Sequence, residues 1–101
     1  MVEKIESVEN LCNDLGNAYE VRCLEGDYII CRYFNPEYFV EIEFRGNPAT
    51  KFSCIIRVYY VVEDAPYLDG EVLKNVGSIS DIFSVEDLKK HLTALEEKYT
   101  P

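Results

Sequence analysis

Tyr38-Phe39-Val40-Glu41-Ile42-Glu43-Phe44-Arg45 is the most regular stretch of the chain. Tyr38, Val40, Ile42 and Phe44 fall at every second position, with Glu41, Glu43 and Arg45 between them. Side chains of a β-strand alternate between two faces, so this period predicts a strand with one apolar side. Asn35-Pro36-Glu37 before it and Gly46-Asn47-Pro48 after it are turn sequences. Upstream, residues 28–34 read as a second strand. Residues 19–24 alternate as well, and Glu25-Gly26-Asp27 closes the two into a hairpin. Downstream, residues 52–63 predict one long final strand with Phe52, Cys54, Ile56, Val58, Tyr60 and Val62 on one face. Short connections favour antiparallel neighbours, so the expectation is a meander of three or four strands.

Helical patterns flank this sheet. Ile5, Val8, Leu11, Cys12 and Leu15 recur at intervals of three and four, and Gly16-Asn17 supplies the usual helix stop. Ser84-Val85-Glu86-Asp87 is a helix start, with Ser84 able to cap and two carboxylates in the first turn. Val85, Leu88, Leu92, Leu95 and Tyr99 make its apolar stripe. Between these segments, residues 67–76 suggest a short helix with Val72, Leu73 and Val76 as its apolar side, and 78–83 read as a connector. The predicted architecture is α+β: a two-layer sandwich with an N-terminal helix, an antiparallel meander and C-terminal helices. The sheet face carrying Arg22, Ile55, Arg57, Tyr59 and Val61 is expected to be open or partly covered by residues 64–83. At 101 residues the chain has the size of a single domain, residues 1–101.

Chemistry-bearing patterns are sparse. Cys12, Cys23, Cys31 and Cys54 contain no Cys-x-x-Cys pair, so they read as buried thiols of a reducing compartment. The one histidine, His91, shares a helical face with Asp87, an arrangement common on charged helix surfaces. The glycines are isolated, and no phosphate-binding fingerprint can be drawn. Asp64, Asp69 and Glu71 lack the spacing of a calcium loop. No cofactor, metal site or catalytic residue is expected, and the chain reads as a binding module and not an enzyme. The apolar run at 55–62 is far short of the roughly 20 residues a membrane helix needs. The N-terminal residues, acidic and amphipathic, resemble no secretion signal, so a cytoplasmic protein is expected.

Charge carries the functional expectation. Nineteen acids against ten bases give a net charge of −9, which repels nucleic acid and anionic membrane and attracts basic protein surfaces. Segments 1–31 and 63–101 each carry a balance of −5, whereas 32–62 is slightly basic. Glu63, Asp64, Asp69, Glu71, Asp81, Glu86 and Asp87 are therefore the candidate partner-binding acids. Tyr67 is the candidate anchor within this set, and Tyr59 and Tyr99 are further apolar contacts. Carboxylates spaced on a rigid scaffold imitate a phosphate backbone, so the expected partner is the basic surface of a nucleic-acid-handling protein.

In element order and acidity, although in no residue signature, the chain resembles small acidic inhibitors encoded by phages and mobile elements. These include anti-CRISPR proteins that occupy the DNA-binding cleft of a CRISPR nuclease. The resemblance implies a stoichiometric inhibitor. The alternative is a structural subunit or homodimer that pairs through its sheet, using the unpaired edge of the strand at 51–63 with Arg57 and Tyr59 as interface residues.

Overall fold

The computed structural model describes residues 3–24, 27–62 and 72–100. The element order is α1 (Lys4–Leu15), β1 (Glu20–Leu24), β2 (Asp27–Asn35), β3 (Tyr38–Phe44), β4 (Cys54–Val62), β5 (Val72–Ile82) and α2 (Val85–Tyr99). The five strands form one antiparallel sheet in sequence order, each paired with the next. This is an α+β fold with an N-terminal helix, an antiparallel sheet and a C-terminal helix.

Both helices pack on one sheet face. Val8, Leu11 and Cys12 of α1 and Leu88 and Leu92 of α2 meet Ile30, Val40, Ile42, Ile56, Val58 and Ile82 in the main core. The alternating apolar residues of β3 and β4 supply its floor, because a two-residue period puts them all on the helix side. Phe52 lies before β4 rather than in it, yet still packs against this core.

The ends of the helices follow local chemistry. Gly16 closes α1 at φ 120°, a conformation that disfavours any residue with a Cβ, and its N–H donates to the Cys12 carbonyl. Ser84 caps α2 by accepting the Asp87 N–H at 3.1 Å. Ser84→Ala removes that acceptor and should lower the unfolding free energy by about 1 kcal/mol, read as a fall in the urea midpoint at constant slope. The far end of α2 is pinned to the β2–β3 hairpin. Asn35 donates its side-chain N–H to the Tyr99 carbonyl at 2.6 Å, and the Tyr99 ring lies tilted against that of Tyr38 with centres 4.6 Å apart.

The sheet departs from the expected meander in its last strand. Val72–Ile82 is a strand, so the helix expected at 67–76 is replaced by β5 from residue 72 on, and the connector at 78–83 belongs to β5 through Ile82. Residues 67–71 lie outside the described part. The physical reason is register. Val58 pairs with Gly77 and Tyr59 with Asn75, which leaves Val76 as an extra residue. A second irregularity lies between Ile79 and Ile82, where Asp81 adopts φ 60°. Two bulges in eleven residues reset the alternation, so neither a strand nor a helix period is clean.

This also relocates the edge. Strand β4 is paired on both sides, by β3 and β5, so the expected free edge at 51–63 does not exist. Among the described residues the edges are β1, five residues long, and the bulged β5. Short and bulged edges both discourage strand addition.

The opposite face is less open than expected. Ile29, Cys31, Phe39 and Val61 form a second buried cluster with Tyr59 against it, and Ile55 is buried too. The described part of 64–83 extends the sheet beside β4 and does not cross this face. Part of the cover is local: the Arg22 guanidinium lies 5.7 Å from the Phe39 ring centre, and the Tyr33 ring 4.9 Å from it.

Candidate partner-binding surface

Of the residues expected to bind a partner, Glu63, Asp64, Tyr67, Asp69 and Glu71 lie outside the described part. Asp81, Glu86 and Asp87 are described, and the β5–α2 junction brings them together. Asp81, one residue before the end of β5, lies in left-handed backbone, strained for a residue with a Cβ. The turn sends Ile82 into the core and leaves the next residue, Phe83, 59% exposed. Glu86 and Asp87 then occupy the first turn of α2, where the helix dipole favours them.

Phe83 sits at the boundary of two open concavities. One, of about 260 Å³, is walled by Arg45, Lys51, Ser53 and Asp81. The other, of about 440 Å³, is walled by Ser84, Glu86, Asp87 and Lys90. The three acids are thus interleaved with three cations. Asp87 also faces His91 across one helical turn at 3.5 Å, an attraction present only when the imidazole is protonated. Sequence reasoning singled out the acids and missed Phe83. Its only signal was an apolar residue immediately before a helix cap, which ordinarily folds back onto the helix.

The remaining charges divide into satisfied and unsatisfied groups. Lys4 pairs with Asp27 at 3.4 Å, Arg22 with Glu20 at 2.7 Å and Lys89 with Asp14 at 2.8 Å. Arg57 bridges Glu41 at 3.7 Å and Glu43 on the open sheet face. Burial raises the Glu41 pKa above the ordinary carboxylate value, with Arg57 opposing and Glu43 adding to the rise. By contrast, Glu3, Glu6, Glu9, Glu37, Asp81, Glu86 and Glu97 are exposed and have no ion-pair partner among the described residues. Glu3, the N-cap residue of α1, is followed at three-residue intervals by Glu6 and Glu9, which lie about 4.5 Å of helical rise apart.

A third concavity, of about 400 Å³, separates the end of α1 from α2. Arg32 lies there, 5.3 Å from the Tyr19 ring centre and 5.2 Å from that of Phe34, with Glu96 at 3.5 Å. Only the Glu96 carboxylate among these partners belongs to α2, so it is this ion pair that links β2 to that helix, while the Tyr19 and Phe34 rings flank the guanidinium. Tyr99, expected as a contact for a partner, is turned inward onto Phe34 and Tyr38, and Tyr59 packs against the second cluster.

The thiols follow their burial. Exclusion from water pushes Cys54 up to about 12 and Cys31 to about 11, so both remain protonated and inert near neutral pH, whereas Cys23 is exposed. Among the described residues, no three His, Cys, Asp or Glu side chains converge as a metal site would require. No described helix is long and apolar enough to cross a membrane. No family model, curated protein or solved structure matches this chain.

Proposed function

We propose that this chain is a small protein-binding module that uses carboxylates on its helical side to engage a basic partner, as a stoichiometric inhibitor or adaptor would. The observation that carries the reading is the row Glu3, Glu6 and Glu9. These acids stand exposed at the start and first turns of α1 with no ion-pair partner among the described residues, whereas Asp14, Glu20, Asp27, Glu41, Glu43 and Glu96 are paired internally. Three carboxylates this close repel one another, a cost set against the attraction of the helix dipole for Glu3 and Glu6. They are worth that cost when an external cationic surface neutralises them. A lysine- and arginine-lined groove that normally holds a phosphate backbone has the matching sign. Glu86 and Asp81 extend the anionic character toward the start of α2.

The reading is tested with the immobilised protein and the heparin-binding fraction of a bacterial lysate, with duplex DNA as competitor. Captured protein should elute between about 50 and 200 mM salt and be displaced by DNA. The triple variant Glu3→Gln, Glu6→Gln, Glu9→Gln should bind about tenfold more weakly, since exposed ion pairs are each worth up to about 1 kcal/mol. Capture by that variant as tight as by the parent would defeat the proposal.

A further inference from the structure

The charges around Phe83 lead to a different surface and a different partner. We propose that the corner formed by the end of β5, the start of α2 and the loop before β4 is the face through which two copies of this chain pair about a two-fold axis.

Three observations converge. Among the described residues Phe83 is the most exposed large apolar side chain, at 59%, and unlike Tyr33 and Tyr60 it has no hydroxyl to hydrate. A lone aromatic surrounded by charged groups has the anatomy of an interface anchor with its polar rim. Next, Arg45, Lys51 and Lys90, three cations without an ion-pair partner among the described residues, all line the concavities beside it. Asp81 and Glu86 are likewise without one. Finally, the two sides of Phe83 differ in balance: Arg45 and Lys51 outweigh Asp81 on the loop side, and Glu86 and Asp87 outweigh Lys90 on the helix side.

Chains of net charge −9 repel one another, so self-contact is favourable only where the local charge cancels. It cancels here, three cations against Asp81, Glu86 and Asp87. In an isologous contact each residue meets its counterpart's neighbours across the axis. With the two Phe83 rings at the centre, the basic side of one copy therefore faces the acidic side of the other. The sheet edges are the competing route to a dimer, and the brevity of β1 and the bulges of β5 oppose it.

Sedimentation velocity across micromolar to near-millimolar concentrations tests the proposal on the full chain. The parent should show a monomer–dimer equilibrium, and Phe83→Ala should weaken it about thirtyfold or more. Because the ring is exposed, that variant should keep the parent's melting temperature at concentrations where both are monomeric. Lys51→Glu and Glu86→Lys should each weaken pairing. An equimolar mixture of the two, or the double variant, should restore it, since each then sets opposite charges across the axis. A chain that stays monomeric throughout overturns the proposal, as does a dimer indifferent to Phe83→Ala. It is equally overturned if Phe83→Ala leaves self-association intact while abolishing capture of the heparin-binding fraction, which would assign the corner to a foreign partner. The Glu3→Gln, Glu6→Gln, Glu9→Gln variant should dimerise at least as tightly as the parent, so this surface and the α1 row stand or fall separately.

Discussion

Ile56→Ala should destabilise the protein by about 2–5 kcal/mol, toward the upper end of that range, and lower its melting temperature by some 10–25 °C. Ile56 is wholly buried at the middle of β4, in ladder register with Ile42 on one side and Ile79 on the other. It belongs to the cluster that joins both helices to the sheet. Loss of three methyl or methylene carbons removes their transfer free energy and leaves a cavity. Its strand neighbours are β-branched and fixed by backbone ladders, so they cannot move in to fill it. A small domain holds about 5–15 kcal/mol in all, so this one change consumes a large share. Ile55→Ala, on the opposite face of the same strand and outside that cluster, should cost less. Urea titration with an unchanged slope measures both. A loss below about 1 kcal/mol for Ile56→Ala would mean that the core does not lie between this strand and the helices.

The second large effect is on the open face and depends on pH. Arg57 faces Glu41 directly across the β3–β4 ladder and also bridges Glu43, two residues along the same face. Glu41 is well shielded, at 16% side-chain exposure. Arg57→Met keeps most of the apolar stem and removes the charge. Glu41 and Glu43 then stand side by side on β3 without a counter-charge, Glu41 shielded from water, at a cost of about 1–3 kcal/mol at neutral pH.

The pH dependence follows from the direction of the shift. Burial already holds the Glu41 pKa above the 4.5 of an ordinary glutamate, against the pull of Arg57. The folded protein therefore binds this proton more tightly than the unfolded chain. Its contribution to stability grows as pH falls through the folded pKa toward 4.5. Removing Arg57 widens that window. The deficit of Arg57→Met relative to the parent should be largest near pH 7 and shrink on acidification to about 4.5, as Glu41 takes up its proton. Parallel stability curves across this range would show that Glu41 and Glu43 are not coupled to Arg57.

Strand β3 and both helices were readable in the residues because their signals are local. Val40, Ile42 and Phe44 alternate without interruption. Val8, Leu11, Leu88 and Leu92 keep helical spacing, and Gly16 and Ser84 mark the ends with side-chain chemistry that needs no distant partner. Strand β5 was not readable. Val76 and the Ser80–Asp81 step each reset the phase of its side chains, and Gly77 looks like a breaker when it is a residue paired with Val58. Only the ladder to β4 organises that stretch.

The candidate surface divides in the same way. The excess of acid and its concentration toward both ends of the chain are compositional, visible before any fold is known. Which carboxylates stay unneutralised is not. Lys89 reaches Asp14 and Arg32 reaches Glu96 only because α1 and α2 lie on the same sheet face. Phe83 is exposed only because left-handed Asp81 turns Ile82, its neighbour, into the core. Periodicity and capping act over a few residues and are written directly in the order of side chains. Charge pairing and the exposure of one aromatic depend on segments brought together from across the chain, and only packing settles them.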